Sequence, residues 1–252
     1  CGTGGDGSHT LNVSTAVAIV VAACDVPVAK HGNRAASSKA GAADTLEALG
    51  LDLDRASETA EDTLADLGLC FLFAQKHHPA LARLAPIRKT IGRRTIFNLT
   101  GPAANPAGVK RQLIGVARPD FLGVYAGALE HLGYEDAMLA AGDEPLDELS
   151  VCQPSTFIRL GQPPSRIEPE AAGLSRHAPD ALRGGDAAYN AAALRRLLDG
   201  EPGAYRDAVL FNAAAALMVA GHAESWIDGA EEAAEAIDKG LAKALLDCWI
   251  AF

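Results

Sequence analysis

No stretch of this sequence is apolar for long enough to cross a membrane. The longest candidate, Val17 to Cys24, falls far short of the ~18 residues a spanning helix needs. The first residues are polar and rich in glycine, so no secretory signal is legible. Cysteine is sparse: Cys1, Cys24, Cys70, Cys152 and Cys248 are odd in number, widely spread and include no CxxC. That spacing excludes a disulfide scaffold and a zinc ribbon, and it fits a reducing, cytoplasmic setting. Internal repeats and low-complexity linkers are absent, as is any Ser/His/Asp or Cys/His grouping of the kind that activates a nucleophile. Positive charge is also in deficit. Twenty-two Lys and Arg against 32 Asp and Glu leave a net charge of −10 at pH 7, which disfavours nucleic acid and anionic membranes as partners.

What is present is an ordinary globular composition, 49% apolar and 21% charged over 252 residues, ample for one domain with a sizeable core. The charge is distributed unevenly. Between Leu67 and Pro119 there is no acid at all, while Lys76, Arg83, Arg88, Lys89, Arg93, Arg94, Lys110, Arg111 and Arg118 fall inside that stretch. A basic middle on an acidic chain points to a local anion site.

Hydrophobic periodicity predicts alternating helices and strands. A helix follows Asn12, with Ser14 or Thr15 near its start, and a buried strand covers Val26 to Lys30. Further helices are expected over Asp44 to Leu49, Ser57 to Leu67, Pro79 to Ile91 (kinked or split at Pro86) and Phe121 to Leu132. Strands are expected over Cys70 to Ala74, Leu113 to Ala117 and Ala137 to Ala141, then an antiparallel pair over 156–160 and 166–168. Helices complete the chain, the last interrupted near Gly240, and the run Ala213 to Ala216 predicts close packing against a neighbour. The expected class is α/β, one domain over 1–252, with a largely parallel central sheet flanked by helices. The glycine turn after Cys1 is of a kind normally fed by a strand, so the expectation is a chain that has lost an N-terminal piece.

Three motifs carry chemistry. In Gly2-Thr3-Gly4-Gly5-Asp6-Gly7 the glycines let backbone N–H groups approach a phosphate, and the following helix adds its positive end. Asp6 inside such a loop requires a metal or a sugar hydroxyl nearby, and the hydroxyls and amide of Thr10, Asn12, Ser14 and Thr15 favour a polyhydroxylated phosphate ligand. In Lys30-His31-Gly32-Asn33-Arg34-Ala35-Ala36-Ser37-Ser38-Lys39 a buried strand ends in cations that must reach solvent or an anion. That loop is expected beyond the carboxyl end of the strand, where parallel sheets bind ligands. Adjacent Asp147 and Glu148 suit Mg²⁺, a hard ion commonly shared with substrate phosphates, whereas Asp143 and Glu144 are decoys of the same chemistry.

The blocks GTGGDGSHTLNVST, VAKHGNRAASSKAGAADTLEALG, FLFA-x-x-HHPA, PIRKTIGRRTIFNLTGPAANP and DELS occur in this order along nearly the whole chain. Together they resemble the anthranilate phosphoribosyltransferases. The resemblance implies a nucleoside-phosphorylase/phosphoribosyltransferase-like fold, with the family's small helical domain mostly missing here. It implies transfer of phosphoribose from 5-phosphoribosyl-1-pyrophosphate to anthranilate in tryptophan biosynthesis, with Mg²⁺ as cofactor and a homodimer as the full-length assembly. By the same resemblance, the donor contacts are Gly2, Gly5, Asp6, Thr10, Asn12, Val13, Ser14, Thr15, Lys30, His31, Gly32, Asn33, Arg34, Ala35, Ala36, Ser37, Ser38 and Ala42. Anthranilate would meet Gly2, Asn33 and Arg88, and the metal Ser14, Asp147 and Glu148. No side chain is assigned as a chemical catalyst, because an aromatic amine is already neutral at pH 7. The alternatives are a pyrimidine-nucleoside phosphorylase, similar in its Lys-His-Gly and Ser-Ser-Lys loops, and a non-catalytic nucleic-acid-binding homologue.

Overall fold

Left-handed glycines at 50, 68 and 221 end helices, and Gly68 releases the chain into a strand. Gly68, at φ 70°, stops one helix, and the five apolar residues after it are buried on both faces. The computed structural model describes residues 1–35, 39–82, 84, 87, 90–91, 95–144 and 146–252. Within these, strand β1 (Val28–Gly32) pairs in parallel with β2 (Leu69–Phe73). A second sheet has the order β3 (Arg111–Gly115), β4 (Asp136–Gly142), β5 (Ser155–Arg159), β6 (Ser165–Ile167). Its first pairing is parallel and the other two antiparallel. The α/β class, the parallel pairs and the antiparallel hairpin agree with expectation, though among the described residues the strands divide between two sheets.

Helix α1 (Val13–Ala22) is buried almost all round and belongs to the main core, as its lack of a polar face requires. The segment expected as one helix over 57–67 is two: α3 (Leu53–Glu58), capped by the Asp52 carboxylate on the Asp54 and Arg55 N–H groups, and α4 (Ala60–Leu67). Between β1 and α3 lies α2 (Ala42–Leu49). Helix α5 (Leu122–His131) connects β3 to β4. The helical end comprises α6 (Ala187–Leu198), α7 (Ala204–Ala220), α8 (Trp226–Asp238) and α9 (Leu241–Ala251), with Gly240 at φ 73° making the break expected there. Pro79–Ala82 is helical, whereas Pro86 lies outside the described residues. No helix among the described residues is long and apolar enough to span a membrane, and all five cysteines are unpaired.

The alanine run of α7 does meet a neighbour closely. A Cβ built on Gly229 of α8 would lie 2.8 Å from the Ala214 Cα and 3.1 Å from its carbonyl oxygen. These are backbone atoms, so they cannot turn aside as a side chain would. Two effects then compete in Gly229→Ala: helix propensity favours alanine by about 1 kcal/mol, and overpacking costs about 1–3 kcal/mol. The steric term wins here, so we expect Gly229→Ala to lower the urea midpoint at unchanged m value. A midpoint equal to or above that of the parent would show that α7 and α8 are not in contact at this position.

Candidate active site

Three chain segments meet at the carboxyl end of β3. The first is Cys1–Thr3, which lies beside β3 in parallel. The Cys1 nitrogen donates to the Leu113 carbonyl (3.0 Å), and the Gly115 and Thr3 N–H groups continue the ladder at 2.9 Å each. The glycine turn beyond it holds Gly4, Gly5 and Gly7 at φ 69–79°, a backbone only glycine adopts cheaply. The second is the turn after β4, which brings Asp147 across the end of β3. A Cβ on Gly115 would lie 1.4 Å from the Asp147 carbonyl oxygen, and one on Gly2 would lie 2.0 Å from its carboxylate. Glycine at both positions is therefore what admits the acid pair. The third is the start of α1. Its N-cap, Asn12, gives no side-chain cap, which leaves first-turn N–H groups for other acceptors.

The electrostatics follow from this crowding. Asp147 accepts a 2.6 Å hydrogen bond from the Gly4 N–H. Burial, with the Asp6 charge nearby, nevertheless raises its carboxyl pKa to about 6. Glu148 is pushed well above the usual carboxylate range by burial and by the Asp147 and Asp6 charges, although it accepts from the Ser14 backbone. Both acids are half-buried. Lys30 is buried on β1, and desolvation lowers its pKa to about 8, so it stays charged at neutral pH beside Glu148. Its Nζ donates to Ser14 Oγ at 3.2 Å. Asp143 and Glu144 are engaged elsewhere, with Arg166 (2.5 Å) and the Ser150 hydroxyl respectively.

The cations of the β1 loop divide: Arg34 and Lys39 reach solvent as expected, whereas Lys30 is buried. Lys30 is interior, and burial with His78 lowers the His31 pKa to about 4. His31 is therefore a neutral ring, its Nδ1 3.3 Å from the Gly101 carbonyl and its face edge-on to His78 at 5.0 Å. Arg34 lies exposed, paired with Asp44 (3.0 Å) and Glu47. Asp44 also accepts from the Ala35 and Gly41 N–H groups, at 2.9 and 2.8 Å, pinning the loop to α2. Those bonds and Arg34 hold its carboxyl below the usual range despite burial.

The remaining candidates divide between cleft and scaffold. Gly32 approaches the Phe71 ring, Asn33 is exposed with its Oδ1 accepting the Arg34 N–H (2.8 Å), and Ala42 opens α2. Thr10 bridges to Arg183, while Val13 and Thr15 are buried in α1. The Asn12 side chain accepts from Thr45 and from Asn190 (2.9 Å), so it braces α1 against α2 and α6. Ala36, Ser37, Ser38 and Arg88 lie outside the described residues.

Sequence reasoning missed Asn212. On α7 it is buried, and its amide forms a two-way clamp on Leu149, accepting the N–H and donating to the carbonyl, 3.0 Å each. That bond anchors the backbone next to Glu148. The available signal was one amide in an otherwise apolar helical run, since a buried amide needs partners.

Mg²⁺ fits the donor set by its chemistry: hard carboxylate oxygens from Asp147 and Glu148, with Asp6 near, and the Ser14 hydroxyl beside Lys30. No group of three or more His, Cys, Asp or Glu that could hold a metal ion occurs among the described residues. Without a cation the pair is a stability liability. The Asp147 carboxyl is raised in the folded state, so folding is favoured at low pH, and that advantage is lost as pH rises from about 4 through about 6. Asp147→Asn is therefore expected to raise stability by about 1–2 kcal/mol at pH 7.5 in chelator, with the gain vanishing near pH 4. Thermal melts across pH check this, and a gain that persists at pH 4 would contradict it.

Residues 1–243 match the family model described as "Glycosyl transferase family, a/b domain". The anthranilate phosphoribosyltransferase of Novosphingobium aromaticivorans is 67% identical, the match covering 100% of this chain and 77% of that protein. The crystal structure of anthranilate phosphoribosyltransferase from Thermus thermophilus is 43% identical, with a TM-score of 0.95 over 99% of this chain and 75% of its own. The Saccharomyces cerevisiae enzyme, solved in complex with PRPP and Mg, is 30% identical, with a TM-score of 0.90 over 99% of this chain and 71% of its own. By sequence along its whole length and by fold, this chain belongs to the anthranilate phosphoribosyltransferase family.

Proposed function

We propose that this chain transfers the phosphoribosyl group of 5-phosphoribosyl-1-pyrophosphate to the amine of anthranilate, releasing pyrophosphate, as a step of tryptophan biosynthesis. The observation that carries the reading is the convergence of the glycine turn, the start of α1, Lys30 and the Asp147–Glu148 pair. Membership of the transferase family agrees with it, and neither a phosphorylase nor a nucleic-acid-binding role has comparable support.

In this reading the turn and the α1 N-terminus offer backbone N–H groups to donor phosphate. Lys30 supplies a buried positive charge, worth more there than in water. Ser14, Asp147 and Glu148 would hold Mg²⁺, which when bound offsets pyrophosphate charge as that group departs. The ordinary role left to the other residues is positioning. Asp44 fixes the β1 loop, Asn212 fixes the acid pair, and Arg88 would present a planar guanidinium to the anthranilate carboxylate. No general base is needed, since the attacking amine is neutral. Full-length homodimerisation and a cytoplasmic location belong to the same proposal.

Steady-state kinetics with each substrate varied tests it. Asp147→Asn with Glu148→Gln is expected to cut kcat about a hundredfold or more while leaving the fold intact. Arg88→Ala is expected to raise KM for anthranilate about tenfold or more, with little change for the donor. Normal turnover by the double variant in Mg²⁺, or equal effects of Arg88→Ala on both substrates, would overturn these assignments.

A further inference from the structure

Between β4 and β5 the chain makes the turn that carries Asp147 and Glu148, and the two ends of that turn are tied together. The Gly142 N–H donates to the Leu146 carbonyl (3.1 Å) and the Asp143 N–H to the Pro154 carbonyl (3.0 Å). Ser150 is fully buried, and its N–H donates to Ser155 Oγ (2.9 Å). The Ser150 hydroxyl is the hub. Its oxygen accepts the N–H groups of Cys152 (2.9 Å) and Gln153 (3.0 Å), which fills both lone pairs. The one hydrogen left to it is donated to Glu144 Oε1.

Holding Glu144 in that place costs the fold something. Its Oε2 is buried and meets no donor among the described residues, and an acceptor so placed loses water without replacement. Glycine shapes the space around it: a Cβ on Gly142 would lie 3.1 Å from Oε2 and 3.3 Å from the Ser150 Cβ. The adjacent Asp143 behaves differently, forming an exposed pair with Arg166 at 2.5 Å. Of two neighbouring acids, one makes an ordinary surface pair and the other closes a staple from residue 144 to residue 150. Leu146, Asp147, Glu148 and Leu149 lie inside that staple. Asn212 holds Leu149 alone, so it does not fix how far apart the ends of the turn stand.

We infer that Glu144 is a positioning residue for the metal acids. Through Ser150 it sets the separation of the two ends of the turn, and with it the places of the Asp147 and Glu148 oxygens that would meet Mg²⁺. It acts on those acids through the backbone and not as a ligand. Mg²⁺ demands near-ideal octahedral geometry, so a shift of the acids is felt first as lost metal affinity. The inference rests on the proposed function.

The experiment measures binding of 5-phosphoribosyl-1-pyrophosphate by calorimetry as Mg²⁺ is raised, in the parent chain and in four variants. Glu144→Ala is expected to need about tenfold more Mg²⁺ for half-maximal donor binding. Glu144→Met, which fills the gap without offering an oxygen, behaves the same way. Glu144→Gln keeps an oxygen for Ser150 and stays within about twofold of the parent. Asp143→Ala, which breaks only the Arg166 pair, leaves the requirement unchanged. All three Glu144 variants lose some stability, because the Ser150 hydroxyl or the new amide goes short of a partner. A merely structural role would therefore move Tm alike in all three and would not separate glutamine from alanine in Mg²⁺ dependence. Exchange of the Cys152 and Gln153 amides, read without ligand, is expected to quicken about tenfold in the alanine and methionine variants alone. A parent that binds no donor in Mg²⁺ sinks the proposed reaction. A parent that binds it, beside alanine and methionine variants with the same Mg²⁺ requirement or a glutamine variant as impaired as alanine, sinks this inference.

Discussion

The contact on which this site depends is the passage of the Asp147 backbone over Gly115. With no side chain at the end of β3, the turn after β4 presses down until an acid pair lies against the glycine loop and the start of α1. No larger residue fits at Gly115, because the obstacle is a carbonyl oxygen fixed in the main chain. Everything electrostatic follows from that approach. The carboxylates lose water, their pKa values rise, and Lys30 is drawn in beside Ser14 as a buried cation. Asn212 then secures the arrangement from below through Leu149.

Such a cluster is poorly explained by stability alone. Half-buried acids of raised pKa oppose folding at neutral pH, and their cost is offset only when something positive binds. The same logic explains the β1 loop. Its surface guanidinium is neutralised by Asp44 and Glu47 and its imidazole is neutral, so Lys30 is the charge the fold keeps for the interior. Scaffold and site are thus separable in side-chain terms. Asn12, Asp44 and Asn212 direct their hydrogen bonds to the protein, while Ser14, Lys30, Asp147 and Glu148 face the cleft.

Much of this was legible in the sequence, for physical reasons. Helix-stopping glycines at 68 and 240 and runs of buried aliphatics marked the elements, and the glycine turn, basic loop and Asp147–Glu148 pointed to an anion and metal site. Charge pairing was not legible. Nothing local tells that Arg34 meets Glu47 thirteen residues on, or that burial leaves His31 neutral. The split of residues 53–67 into two helices also escaped, because Asp52 as a cap is obvious only once the helix start is known. Division of the strands between two sheets depends on long-range pairing, which periodicity does not encode.

The central claim is that Asp147, its pKa raised to about 6 by burial, is partly protonated when alone and becomes ionised when cation and donor bind. Titration calorimetry of the preformed Mg²⁺–donor complex at pH 6, repeated in buffers of different ionisation enthalpy, counts the protons exchanged. The account predicts release on the order of one proton from the wild-type protein beyond that seen with Asp147→Asn/Glu148→Gln. The same proton count for both proteins would contradict it.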